Sequence, residues 1–194
     1  SVVDSMLQSC IVLARQRIGA LIVFEQEVGL RNYSERGVPI NASVSEELVQ
    51  SIYHPTSPLH DGALVISRKG ELLAARCILP VSMNSRLDPD LGTRHRAAIG
   101  LTEETDAVVL VVSEERKEIS LSFQGQLVRG ANENIRSILL EVLEGRVPDT
   151  LKQTTDDDGS SESGSLDEDS AEQTYESMSR MKPNSQPSGS LLYT

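Results

Sequence analysis

Three short polar clusters carry the residue types from which a phosphate-handling site could be built. Gly92-Thr93-Arg94-His95-Arg96 sets a hydroxyl, an imidazole and two guanidinium forks side by side, and small apolar residues follow at once, as at the start of a buried helix. The first turn of a helix offers unpaired N–H groups and the positive end of its dipole to an anion, and guanidinium forks match phosphate oxygens. Pairing of Arg94 and Arg96 with surface carboxylates would account for the same charges. The second cluster, His60-Asp61-Gly62-Ala63, follows a loop stiffened by Pro55 and Pro58. Asp61 could bind a divalent metal or accept a hydroxyl proton, with Gly62 allowing close approach to the backbone; an Asp turn cap is the plainer alternative. The third, Ser113-Glu114-Glu115, ends the most apolar stretch of the chain. Oxygen ligation of Mg or Mn beside a triphosphate competes there with simple strand-end solubility.

The elements that must position these clusters can be read from periodicity. Met6, Leu7, Ile11, Val12 and Leu13 have the spacing of one helix face over residues 4–17, with Asp4 as a candidate cap. Gly19 to Phe24 and Asp106 to Ser113 are continuous apolar runs of the length of strands buried on both faces. Residues 26–40, with scattered charges, two glycines and Pro39, predict a long surface connection. Ser43-Val44-Ser45-Glu46 matches a capping box ahead of a helix of about three turns that stops before Pro55. Ala63–Ser67 and Leu72–Leu79 predict a hairpin turning at Lys69-Gly70, and Pro80–Leu91 a loop leading to a helix over Arg94–Glu104. Ile119–Phe123 alternates and turns at Gly125 into Leu127-Val128, a half-exposed hairpin at the edge of the sheet. Asn132 to Leu143 closes the domain with a helix ended by Gly145 and Pro148. The fold class this predicts is α/β (α+β), in one globular domain, residues 1–150.

Charge separates that domain from the rest of the chain. Residues 151–194 hold nine acids and three bases, a net charge of -6 out of -11 for the whole chain, and few large apolar residues. Such an acidic, Ser-rich segment cannot bury enough surface to offset its ordering entropy and is expected to be a disordered tail. The remaining -5 gives no basic face for a nucleic-acid backbone, so no nucleic-acid partner is expected. Two widely separated cysteines, Cys10 and Cys77, make neither a disulfide framework nor a zinc cluster and fit a reducing, cytoplasmic setting. No apolar run approaches the roughly 20 residues needed to cross a bilayer, so a membrane anchor is expected only through a segment outside this chain. Walker A loops, dinucleotide fingerprints and Gly-x-Ser-x-Gly elbows are absent.

Taken together, Pro58-Leu59-His60-Asp61-Gly62-Ala63 and Leu91-Gly92-Thr93-Arg94-His95-Arg96-Ala97-Ala98 resemble the paired DGA and RHR signatures of the diadenylate cyclase domain. Arg17-Ile18-Gly19-Ala20-Leu21 and Val111-Val112-Ser113-Glu114-Glu115 agree with it, and the resemblance covers roughly residues 4–130. It is strongest to the membrane-associated class, in which transmembrane helices precede the cyclase domain. It implies condensation of two ATP molecules into cyclic di-AMP with release of two pyrophosphates, using Mg, Mn or Co. It also implies a mixed, twisted central sheet flanked by helices, and a face-to-face homodimer, or higher homo-oligomers built from it, since each 3'-hydroxyl attacks the α-phosphorus held by the partner.

By matching position, the resemblance makes Asp61 a metal ligand and the activator of the attacking hydroxyl, with Gly62 and Ala63 shaping the backbone beside ribose and α-phosphate. Gly92, Thr93, Arg94, His95 and Arg96 would hold the triphosphate, Ser113 would add a phosphate contact, and Glu114 would be the second metal ligand. Leu79 would lie near the adenine, preceded by Ile78 where relatives often carry an aromatic residue. Two other readings compete: a non-catalytic nucleotide-sensing module that keeps the phosphate clamp, and an interaction scaffold whose partners govern pairing. Product formation from ATP discriminates the first of these, and the dependence of specific activity on protein concentration the second.

Overall fold

Successive side chains of Ala20–Phe24 turn to opposite faces of a sheet, and that alternation sorts the molecule into layers. Ala20, Ile22 and Phe24 belong to one apolar cluster, Leu21 and Val23 to another. The computed structural model describes residues 1–130 and 134–149. Its helices are α1 (Val2–Arg15), α2 (Arg31–Ser34), α3 (Glu46–Tyr53), α4 (Thr93–Glu104) and α5 (Ile135–Leu143). Its strands are β1 (Ala20–Phe24), β2 (Val38–Ser43), β3 (Ala63–Ile66), β4 (Glu71–Cys77), β5 (Val108–Val112), β6 (Ile119–Phe123) and β7 (Gln126–Val128). They form one mixed sheet in the order β2-β4-β3-β1-β5-β6-β7, in which β1 and β3 run parallel and the other pairs antiparallel.

One face of the sheet packs against α1, α3 and α5 through Met6, Leu13, Ile52, Leu139 and their neighbours. The other is covered by α4, whose contact residues Ala97 and Ala98 are small and let the helix lie close to Val109 and Val111. Gly100 serves the same closeness on the helix's other flank: a Cβ there would fall 2.2 Å from the carbonyl oxygen of Pro80 and 2.7 Å from the nitrogen of Ser82. Ser82 in turn donates its N–H to Arg96 O at 3.0 Å and its hydroxyl to Glu103 at 2.7 Å, so the loop after β4 is fastened along α4.

The mixed sheet with flanking helices is as expected, but several local expectations are corrected. Ser1, not Asp4, caps α1; its hydroxyl accepts from Asp4 N while Asp4 supplies the reciprocal carboxylate of a capping box. The stretch 26–40 is no plain connection, because it contains α2 and runs into β2. That strand is exposed and carries Pro39, which only an edge strand accommodates, so its apolar signal is weak. Ser45 rather than Ser43 caps α3, accepting from Leu48 N at 3.2 Å, and the helix has eight residues instead of about three turns.

β6 is not half-exposed. All five of its residues are buried, because α4 covers the face carrying Ser120 and Ser122. Ser122 meets the Thr102 hydroxyl of α4 at 2.8 Å and donates to Gln126 O at 2.9 Å, while the Ser120 hydroxyl has no hydrogen-bond partner among the described residues. The polar residues that suggested solvent thus lie beneath a helix. The helix expected from Asn132 begins at Ile135, Asn132 lying outside the described residues. The expected acidic tail, 151–194, also lies outside them.

Candidate nucleotide site

Strand register brings the three clusters to one end of the sheet. Ala20, the first residue of β1, pairs with Val112, the last of β5, and the parallel pair Ile22 with Leu64 puts the start of β3 beside the start of β1. Asp61-Gly62 therefore enters where Ser113-Glu114 leaves, two strands away. The first turn of α4, with Gly92 as its N-cap in an extended conformation, lies over the same end.

Two cavities open there and share Thr93 and Arg94 in their walls. The smaller, about 240 Å³, is lined by Gly92, Thr93, Arg94, His95, Ser113, Glu114, Arg116 and Arg129 among others. The larger, about 480 Å³, has Asp61 and Gly62 at one side and Leu21, Ile78, Leu79, Val81 and Ala97 as an apolar surround. A charged, hydroxyl-rich compartment thus adjoins a largely apolar one across a single arginine. The pair is matched to a ligand with an anionic part and a flat apolar part.

Arg94 is held on two sides. Its Nη1 lies 3.4 Å from Glu114 Oε2. The guanidinium lies against the backbone of Gly19, where an added Cβ would come within 2.3 Å of Nη1 and 2.5 Å of Cζ. Below β1, Tyr53 of α3 accepts the Leu21 N–H at 3.3 Å and donates its hydroxyl to Leu21 O at 2.6 Å, pinning the strand beneath the arginine. Burial pushes the Tyr53 phenol above its ordinary value, so it stays a donor.

His95 is 8% exposed, and its pKa is lowered from the ordinary 6.5 first by burial and then by Arg129, Arg116 and Arg94, with Glu118 opposing. The imidazole is neutral at pH 7. Ser113 accepts the Arg116 N–H on its hydroxyl oxygen at 3.2 Å, which leaves its own O–H to donate. Arg17 reaches from the α1–β1 connection to Glu115 O at 3.4 Å and steadies the same turn.

The other expected residues divide between the cavity walls and the structure behind them. Asp61 is exposed at the rim of the larger cavity, and Leu79 is buried in its wall. Gly62 has φ +124°, and a Cβ on it would fall 2.8 Å from the Arg76 carbonyl carbon, so β4 itself requires the glycine. Ala63 is buried as the first residue of β3 and lines neither cavity. Arg96 also lines neither; its Nη2 donates to Asp88 O at 3.2 Å and its Nε to Leu91 O at 3.4 Å. Gly19, Tyr53, Asp88 and Arg129 were not singled out as site residues from the sequence. Of these only Gly19 carried a local signal, a residue without a side chain heading an otherwise bulky buried run.

Among the described residues no cluster of three or more His, Cys, Asp or Glu side chains could hold a metal ion by itself. Asp61 and Glu114, one in the wall of each cavity, offer two carboxylates. That donor set fits Mg-type ions, which are commonly bound by one or two carboxylates together with substrate phosphates. No described helix is long and apolar enough to cross a membrane.

Residues 7–127 match the DAC family, described as DisA bacterial checkpoint controller nucleotide-binding. The chain is 42% identical over 139 residues to the cyclic di-AMP synthase CdaA of Bacillus subtilis, covering 72% of this chain and 50% of that protein. It is 43% identical over 142 residues to a diadenylate cyclase of Listeria monocytogenes, covering 73% and 52%. The chain thus spans about half the length of these curated relatives. A crystal structure of a double mutant of DacA from Staphylococcus aureus superimposes with a TM-score of 0.70 at 41% identity, covering 73% of this chain and 95% of that one. A hypothetical membrane spanning protein from Bacillus cereus aligns with a TM-score of 0.62 at 40% identity, covering 65% and 61%.

Proposed function

The chain belongs to the DAC family, and from that membership we propose that it is the catalytic domain of a diadenylate cyclase, joining two ATP molecules into cyclic di-AMP. The observation that carries the reading is the junction at Thr93–Arg94: one compartment fit for phosphates and one fit for a base meet at a guanidinium, with Asp61 beside the junction.

In this reading the triphosphate lies against the first turn of α4, taking hydrogen bonds from its free N–H groups, the Thr93 and Ser113 hydroxyls and Arg94. Adenine occupies the larger cavity between Leu21, Leu79 and Ala97, with Ile78 supplying an aliphatic cover where an aromatic ring would stack. Neutral His95 can donate one hydrogen bond without adding charge. Arg96 acts by holding the loop ahead of α4.

The 3'-oxygen of one ATP bonds to the α-phosphorus of the other, the bond from that phosphorus to the β-bridging oxygen breaks, and pyrophosphate leaves with the electron pair. Asp61 takes the hydroxyl proton. A second such step closes the ring, so two ATP give one cyclic dinucleotide and two pyrophosphates. Since one protomer offers one such pair of cavities, the second ATP arrives on another copy of the chain, in a face-to-face homodimer. Asp61 and Glu114 would hold a divalent cation (Mg, Mn or Co), which supplies charge neutralisation at the phosphate oxygens. Catalysis of this kind is mainly alignment and electrostatics. Attachment of the full-length protein to a membrane is in keeping with the likeness to the membrane spanning protein.

The test is incubation with ATP and Mn or Mg and identification of the product by mass spectrometry. Cyclic di-AMP should form, and Asp61→Asn should lower its rate by about 100-fold or more, in the range for loss of a general base, with ATP affinity changed much less. No product across metals and protein concentrations overturns the reading.

A further inference from the structure

The segment that delivers Gly92-Thr93 to the site is tied by Asp88. Its carboxylate accepts from Asp90 N at 2.9 Å through one oxygen and from Arg129 Nη1 at 2.9 Å through the other. Its carbonyl accepts from Leu91 N at 3.1 Å and from Arg96 Nη2 at 3.2 Å. Four donors therefore converge on one residue, and three of them belong to the turn it leads into or to α4. The fourth, Arg129, comes from the residue after β7 and is the tie from this loop to the sheet edge.

Arg129 is 29% exposed and Asp88 45%, so the pair is only partly solvated. It also has a place in the cavities. Arg129 lines the smaller nucleotide cavity on one side and a cavity of about 600 Å³ on the other, where Asp88 also lies. Arg129 and Leu91 stand between them. The Asp90 N–H and Arg129 together hold the Asp88 carboxyl below its usual range, so the pair stays charged through neutral pH.

We infer that Asp88 and Arg129 are positioning residues for the triphosphate: the Arg129–Asp88–Arg96 chain fixes the turn that presents Thr93 and Arg94 to the smaller cavity. The inference rests on the triphosphate reading of that cavity. Losing the tie loosens the turn and weakens nucleotide binding, while Asp61 and the attacking hydroxyl are untouched, so the effect falls on KM rather than kcat.

The experiment compares wild type with Arg129→Ala, Arg129→Lys, Asp88→Asn and the Arg129→Ala/Asp88→Asn double variant. It reads KM and kcat for ATP, thermal unfolding, and binding of ATP and inorganic tripolyphosphate in EDTA. Arg129→Ala should raise KM about ten-fold with kcat changed less than about three-fold, a uniform-binding loss. Arg129→Lys should recover most of it, because the contact with Asp88 is through one nitrogen. The double variant should be little worse than either single one, because both break the same tie. A merely structural role would instead lower kcat with the folded fraction and leave KM alone. Unchanged KM in Arg129→Ala, or additive effects in the double variant, overturns the inference while leaving the cyclase reading standing. Failure of wild type to bind either probe sinks both together.

Discussion

The Arg94 guanidinium occupies the space that a side chain on Gly19 would need, 2.3 Å from Nη1 to the position of an added Cβ. Gly19 has no positive φ, and the atoms it would meet are the mobile end of a side chain. Gly19→Ala should therefore leave stability within about 1 kcal/mol of wild type, since the backbone gains what the repacking loses. The displaced Arg94 should cost about ten-fold in ATP affinity, the worth of roughly one charge-assisted hydrogen bond. Titration calorimetry alongside a urea melt separates the two; a large stability loss with intact binding would contradict the assignment.

Acidification should weaken the fold through His95. Burial holds its pKa below the unfolded value, so between the two values the unfolded chain binds more protons than the native one and stability rises with pH. The contribution is fully present above about pH 6.5 and is lost as pH falls from there through the lower native value. Urea midpoints from pH 7.5 to 5.5 should decline more steeply for wild type than for His95→Gln. Equal slopes would show that the imidazole is not held neutral.

Tyr53→Phe should destabilise by about 1–3 kcal/mol, because it removes the buried hydroxyl that bonds both the N–H and the carbonyl of Leu21. Its denaturant midpoint should fall with an unchanged slope. ATP affinity of the folded protein should move less than in Gly19→Ala, since Tyr53 reaches the site only through β1.

The two apolar runs and the two motifs were legible because each signals within its own few residues. Five consecutive buried positions in β1 and β5 need no partner to be recognised as strands, and Gly92 to Arg96 announces a helix start by composition. What escaped depended on distant partners. β2 looks like a loop because Pro39 and exposed polar residues suit an edge strand, and β6 looks half-solvated because nothing local says that Thr102 will cover Ser122. Arg96 reads as a phosphate ligand beside Arg94, yet its place two helical positions on turns it to the carbonyls of Asp88 and Leu91. Asp88 and Arg129 lie 41 residues apart, and neither sits in a motif.

Glu114 and the triphosphate would compete for one guanidinium. Glu114 Oε2 lies 3.4 Å from Arg94 Nη1 in a pair whose members are 55% and 30% exposed, so solvent screens it and little stability rests on it. Its effect on binding is another matter, because an anion that engages Arg94 must displace or share this carboxylate, and Glu114 adds a negative charge to the wall that the phosphates would approach in the proposed reading. In EDTA, Glu114→Gln should therefore bind ATP at least as tightly as wild type, with a melting temperature within a few degrees. With Mn present the order should reverse, because in the proposed reading wild type would offer the cation both carboxylates and the variant only Asp61. Synthesis of cyclic di-AMP by the variant should fall even where its ATP affinity does not. Weaker binding of ATP by Glu114→Gln in EDTA would mean that the carboxylate orients Arg94 for the phosphates rather than competing with them.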